Sequence, residues 1–196
     1  MYHIGIIPDG NRRYAKKRHA DLLKVYEKSS QKALDIVNWL ESEGADEVTF
    51  YAFSIENKDR PEEELFILKD LFLGFFAEIL NSDTTARIRI IGDLEIMYDI
   101  FGNDVVKLAL DAEQRTENNK GMKVNLLICY GGRQMPYLNL RHFDCIIRTA
   151  NEKRLSNFPP VQSAGARFYS CKKSFPQFSL VDLCRIIKQF KRDINA

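Results

Sequence analysis

The sequence predicts an α/β fold: a mostly parallel central sheet flanked by helices. Two observations predict it. Short runs of β-branched and other apolar residues end in turn clusters, and the stretches between them carry apolar residues at spacings of three and four. Strands alternating with helices are the pattern of a parallel sheet, whose ligands gather beyond the carboxyl ends of the strands. The chain has 196 residues, 45% of them hydrophobic. That is enough for one large core and too little for two independent ones, so residues 1–196 are expected to form a single domain.

Residues 4–7 are an apolar run closed by Pro8, Asp9, Gly10 and Asn11, a turn cluster suited to the end of a buried strand. A helix is expected after this turn and a long one over 22–40. There Leu22, Tyr26, Ala33, Ile36, Val37 and Leu40 keep helical spacing, and Gly44 fits the C-cap. Residues 48–53 read as a second strand. Pro61 then opens a helix whose first turn, Glu62 to Glu64, places carboxylates where the helix dipole favours them; it runs to about Leu80. Residues 88–91, ending in Gly92 and Asp93, and 124–129, ending in Tyr130, Gly131 and Gly132, are two further strands, with a helix around 104–118 between them. A fifth short strand spans 145–147. Ser179 to Asp182 is a capping box before an amphipathic helix that ends near Phe190.

The 29 basic and 27 acidic side chains leave a formal charge of +2, far from the dense positive field of nonspecific nucleic-acid binding. No nucleic-acid partner is expected. Cys129, Cys145, Cys171 and Cys184 form no CxxC pair and meet no histidine cluster, which argues against a zinc site and for a reduced, cytoplasmic protein. Neither a signal peptide nor a membrane span is read, so membrane contact is expected to be peripheral at most.

Two loops carry candidate chemistry. The first, Asp9 to Arg13, stands directly before a helix, where free backbone amides and the dipole favour an anion. Gly10 permits close backbone approach, and Arg12 and Arg13 offer forked donors to phosphate oxygens. The plainer alternative is an Asx turn followed by a solvated basic helix start, since Lys16, Lys17 and Arg18 continue the charge. The second loop follows the fifth strand: Arg148 and Thr149, then Glu152, Lys153, Arg154, Leu155, Ser156 and Asn157. Its two arginines and a hydroxyl suit a second diphosphate; an exposed charged loop is the alternative. The helix over 64–80 is apolar on more than one face, which fits either simple burial or a face lining a cleft for an apolar chain.

Five ordered blocks resemble the cis-prenyltransferase (undecaprenyl diphosphate synthase) family. His3 through Lys16, with Asp9, Gly10, Asn11 and Arg13, is similar to the family's H-x-x-x-I-M-D-G-N-x-R-[WF]-A. Tyr51 through Pro61, with Ser54, Glu56, Asn57 and Arg60, is similar to Y-x-F-S-x-E-N-x-x-R-P. Arg89 to Asp93, Asn125 to Arg133, and Asp144 to Phe158 follow in the family's order, and the resemblance covers residue 3 to about 170. It implies an undecaprenyl diphosphate synthase-like fold, a homodimer, and a transferase that ionises an allylic diphosphate for attack by the double bond of a homoallylic one, isopentenyl diphosphate. By position it implies that Asp9 assists diphosphate departure, usually with magnesium, while Gly10, Asn11, Arg12 and Arg13 hold the allylic diphosphate. Arg148, Arg154 and Ser156 would hold the homoallylic diphosphate. Asn57 and Arg60 would sit between the two and serve proton removal or pyrophosphate handling.

The chain also departs from the family's pattern. The downstream metal-binding glutamate falls on Arg167, and residues 159–173 contain no Asp or Glu. The two-carboxylate magnesium site is therefore incomplete; either the Arg167 guanidinium supplies charge that the metal otherwise brings, or the alignment slips there and Arg167 is a surface arginine. Val25 and Tyr26 stand for a glycine-histidine pair, Cys129 stands for an asparagine, and the C-terminal Arg-x-Gly is missing. These positions normally serve elongation, so a short product is expected, with isopentenyl diphosphate or an atypical, irregularly coupled acceptor. Phe72, Phe75 and Phe76 are expected to floor the tunnel. The alternative is a noncatalytic stimulatory subunit of a heteromeric prenyltransferase, and the intact Asp9, Asn11 and Arg13 favour the enzyme.

Overall fold

Strands buried on both faces read as continuous apolar runs, and β1 (His3–Ile7) is buried along its whole length. It lies inside a six-stranded sheet with β2 (Glu47–Ser54), β3 (Arg87–Ile91), β4 (Lys123–Tyr130), β5 (Cys145–Arg148) and β6 (Arg167–Ser170). The order is β3-β4-β2-β1-β5-β6, and every neighbouring pair is parallel. The structure is a computed structural model that describes residues 2–195. Residues 1 and 196, the ends of the expected domain, lie outside the described residues.

Register fixes where the site falls. Ile7 aligns with Arg148, and Arg148 with Ser170, so the loops after β1, β5 and β6 leave the sheet at one edge. The sixth strand corrects the five-strand expectation. Its sequence, Arg-Phe-Tyr-Ser, is half-exposed on an edge and lacks the apolar run that marks the inner strands.

The helices are α1 (Asn11–Arg18), α2 (Leu22–Ser42), α3 (Glu62–Asn81), α4 (Leu94–Phe101), α5 (Asn103–Thr116) and α6 (Leu180–Asp193). A single helix around 104–118 was expected between β3 and β4; two are present. Asp93 caps α4, accepting from the amides of Glu95 and Ile96, both at 3.0 Å, and Gly102 at φ 86° breaks the helical path before α5. Helices α2 to α6 bury Ile36, Leu40, Phe72, Phe76, Met97, Val105 and Ile187 with Ile4, Ile6, Val48, Phe50 and Leu126 in the main core. A smaller core holds Tyr51, Leu127 and Ile146 with Leu140, Phe143 and Phe158 from the connections after β4 and β5. No helix is long and apolar enough to cross a membrane among the described residues.

Candidate active site

The loops after β1 and β5 are clasped together by backbone and side chain. The Asp9 amide donates to Thr149 Oγ1 at 2.8 Å, and the same hydroxyl donates back to the Asp9 carbonyl at 2.7 Å. Arg148, the last residue of β5, is nearly buried and directs Nη2 to Asp9 Oδ2 at 2.9 Å. Its Nη1 donates to Ser156 Oγ at 2.7 Å and to the Arg154 carbonyl. Arg148 Nε is buried and without a partner among the described residues. From one turn into α1, Arg13 reaches the other Asp9 oxygen at 3.2 Å and Glu152 at 3.4 Å, and Glu152 holds Arg154 at 3.4 Å. The result is a string of charges, cationic on balance, at the strand ends.

Burial alone would raise the Asp9 carboxyl, but hydrogen bonds and charge from Arg148 and Arg13 outweigh it and hold the group below the usual carboxylate range. Gly10 caps α1 with φ 101°, and a Cβ there would stand 2.8 Å from Ser174 Cβ and 2.9 Å from Ala150 Cβ. Only glycine lets the two loops approach this closely. Ala150, Asn151, Ser156 and Asn157 all have left-handed backbone, with φ of 64°, 60°, 48° and 64°. Such conformations are costly outside glycine and cluster where backbone groups must be aimed.

A second cluster surrounds Glu64. This carboxylate is 5% exposed and accepts from Tyr26 at 2.8 Å and Arg60 at 2.9 Å, with Arg12 Nε at 3.1 Å. Arg60 also donates to the Tyr26 hydroxyl at 3.2 Å and lies over the Phe53 ring. Burial, together with the neighbouring Glu64, drives the Tyr26 phenol far above its ordinary value, so it stays neutral. Ser29 Oγ donates to Asn11 Oδ1 at 2.7 Å, and Asn11 Nδ2 donates to the Pro8 carbonyl, which fixes that side chain at the head of α1.

The structure thus gathers Asp9, Gly10, Arg13, Arg148, Ser156 and the Arg154 backbone, and holds Asn11 beside them. It sorts the other expected residues elsewhere. Arg12 and Arg60 share Glu64. Asn57 accepts from the Ser54 amide at 3.2 Å and caps the 3₁₀ turn Ile55–Asp59. Arg167 is a correction: it opens β6 in register with Cys145, about 10 Å along the strand from the Arg148 end. Its guanidinium donates to the Asp193 carbonyl at the end of α6, where a cation complements the helix dipole. It does not join the cluster. Phe72 is a second correction: it is buried, packs on Phe101 at 5.2 Å between ring centroids, and is not among the residues lining the cleft between α2 and α3.

Ser29 and Glu64 were not singled out from sequence, and Thr149, Glu152 and Tyr26 were named there only as parts of motifs, without these contacts. Glu64 read as an ordinary first-turn carboxylate; its spacing of four from Arg60 was the available signal.

An apolar cleft of about 500 Å³ lies between α2 and α3 over the sheet, walled by Val37, Phe50, Phe75, Ile79 and Leu126. It extends toward the amino ends of β3 and β4, at Ile88 and Val124. Its size suits an apolar ligand.

Magnesium is commonly held by one or two carboxylates plus substrate phosphate oxygens and water. Asp9, partly exposed and beside the phosphate-suited arginines, fits that donor set as its one protein carboxylate. No group of three or more His, Cys, Asp or Glu side chains suited to a metal occurs among the described residues.

The family model of undecaprenyl diphosphate synthases matches the chain over residues 7–137 and 134–195. The geranylgeranyl-diphosphate-specific tritrans,polycis-undecaprenyl-diphosphate synthase of Methanocaldococcus jannaschii is 31% identical, over 97% of this chain and 80% of that protein. An isoprenyl transferase of Thermus thermophilus is 32% identical, over 96% and 85%. Among solved structures, a probable undecaprenyl diphosphate synthase from Campylobacter jejuni superposes with TM-score 0.76 at 26% identity, covering 97% of this chain and 95% of that one. Lavandulyl diphosphate synthase from Lavandula x intermedia shares the fold at TM-score 0.87 and 24% identity, covering 96% and 94%. The archaeal alignment runs over 230 positions against the 196 residues of this chain, so at least 34 of those positions have no counterpart here. The family match breaks at residues 134–137, in the connection from β4 to β5.

Proposed function

Because the chain belongs to the undecaprenyl diphosphate synthase family of prenyltransferases, we propose that it moves an allylic prenyl group from its diphosphate onto a second isoprenoid diphosphate. The acceptor is isopentenyl diphosphate or an atypical, irregularly coupled one, and the product is short. The observation that carries this reading is the Asp9–Arg148–Ser156 junction, which sets two arginine-bearing loops side by side at the carboxyl edge of the sheet.

Separating a diphosphate anion from an allylic cation needs positive charge already in place at the leaving group. Arg13, more than half exposed at the mouth of the cluster, and the Gly10-headed start of α1 supply it for the allylic diphosphate. Arg148, Arg154 and Ser156 hold the second diphosphate, and the shared Asp9–Arg148 pair keeps the two close enough to react. Asn57 and Arg60, held by the turn after β2 and by Glu64, serve proton removal or pyrophosphate handling. Magnesium, when bound through Asp9, would neutralise departing diphosphate charge. The prenyl tail occupies the cleft beside Phe75. The reading takes the protein as a single catalytic domain over residues 1–196, acting as a homodimer, cytoplasmic or peripheral to a membrane.

Purified protein incubated with labelled allylic diphosphates of several lengths, with and without isopentenyl diphosphate, tests the reading. A short product that needs both diphosphates supports regular condensation, and product without isopentenyl diphosphate identifies irregular coupling. No product under any combination, with stimulation of an added active family member, would establish the subunit role instead.

A further inference from the structure

On the face of the sheet opposite the helices, the amino ends of β2, β3 and β4 open into a polar cavity of about 600 Å³, lined by Glu47, Arg87, Arg89, Lys123 and residues 139–141. We propose that this cavity is a binding site for a phosphate-bearing small molecule, separate from the loops at the opposite edge.

Register brings its cations together. Arg87 stands directly beside Lys123, Lys123 beside Glu47, and Arg89 beside Asn125. The alternating residues Ile88, Val124 and Val48 enter the main core, so these polar side chains face the other way. Like charges in register destabilise a sheet, yet Arg87, Arg89 and Lys123 have no acid within salt-bridge distance among the described residues. The neighbouring acids are already engaged. Arg141 takes Asp46 through two bonds at 2.6 and 3.2 Å. Glu47 accepts from Asn125 Nδ2 at 2.8 Å and has Arg141 Nε at 4.0 Å.

The floor is built rather than incidental. Asn125 is fully buried and donates to Glu47 and to Thr49 Oγ1, at 2.8 and 2.9 Å, both on β2. His3 Nε2 lies 2.8 Å from the same threonine hydroxyl, and its Nδ1 faces the Arg141 carbonyl at 3.0 Å. Asn125 Nδ2 is taken up by β2, which leaves Oδ1 on the residue that stands in register with Arg89 of β3. That oxygen is buried and has no partner among the described residues. Arg89 itself makes one hydrogen bond, 3.3 Å to the Asn139 carbonyl. Three unpaired cations beside a rigid polar floor suit an anion with phosphate geometry. The roof, residues 139–141, belongs to the β4–β5 connection, just beyond the junction of the two family matches at 134–137. Strand length puts it roughly 20 Å from Asp9.

Calorimetric titration with inorganic tripolyphosphate at fixed ionic strength tests the site. Wild type should show two binding events. Arg89→Gln with Lys123→Gln should weaken one at least tenfold and leave prenyl transfer unchanged, while Arg148→Ala should remove the other. The single variant Arg87→Gln, at an exposed position, repeats the test if the double variant fails to fold. Vesicles containing phosphatidic acid form a second arm: retention by wild type and loss in the double variant would assign the phosphate to a lipid headgroup, and no retention would assign it to a soluble ligand. A single binding event in wild type, or two events surviving in both variants, would overturn the proposal.

Discussion

Arg148 Nη2 stands 2.9 Å from Asp9 Oδ2, a hydrogen-bonded ion pair joining residues 139 positions apart and making one surface of two loops. Arg148→Gln should lower kcat for prenyl transfer by about 100-fold or more, the usual cost of removing a donor aimed at developing negative charge. Steady-state kinetics measures that. A second readout is titration. In the native protein Asp9 lies below its ordinary 3.8 despite burial, so its contribution to stability is present above that value and lost as pH falls below it. Without Arg148 its hydrogen bond and charge no longer draw Asp9 down, and NMR should find the Asp9 midpoint moved upward.

The Glu64 clamp predicts graded losses. Tyr26→Phe removes one hydrogen bond to a carboxylate and should destabilise the protein by about 1.5–3 kcal/mol. Glu64→Ala leaves Arg60 without its buried partner and should cost about 3–5 kcal/mol. Urea unfolding gives both values. Because the clamp fixes Arg12 and Arg60, Tyr26→Phe should also raise KM more than it lowers kcat.

Phe75 and Phe72, three residues apart on α3, should behave oppositely. Phe75→Ala enlarges the cleft and should lengthen the product. Phe72→Ala empties a core site and should cost about 3–5 kcal/mol with product length unchanged. Chromatography of the products beside thermal melts separates the two effects.

At the start of α6, Asp182 should govern acid stability. Burial pushes its carboxyl up, but hydrogen bonds from Lys173 and Ser179 win and draw it down to about 2. A depressed carboxyl stabilises the fold above its unfolded value and loses that contribution as pH falls from about 4 to about 2. Asp182→Asn should therefore cost about 1–3 kcal/mol at pH 7, with the gap to wild type closing below pH 3. Denaturant melts at the two pH values check this.

Much of this was legible in the sequence because the relevant signals are local. A turn cluster after the first apolar run marked the strand end that carries Asp9, the short apolar run 145–147 placed Arg148 at the end of the fifth strand, and the Ser179–Asp182 capping box marked the start of α6. The rest depended on tertiary partners. Arg167 sits on a short edge strand with no apolar signature, and its function as a cap on α6 appears only when that helix folds back. Glu64 looks identical to Glu62 and Glu63 until α1 and α2 bring Arg12 and Tyr26 against it. Phe72 and Phe75 belong to one apolar helix, and only packing against α4 decides which faces the core and which the cleft.

The most direct test of the central claim is product formation by wild type and Asp9→Ala from a labelled allylic diphosphate and isopentenyl diphosphate, with magnesium present and after chelation. The account predicts a prenylated product from wild type with magnesium and a loss of at least 100-fold in Asp9→Ala under every condition. Undiminished turnover by Asp9→Ala would contradict it.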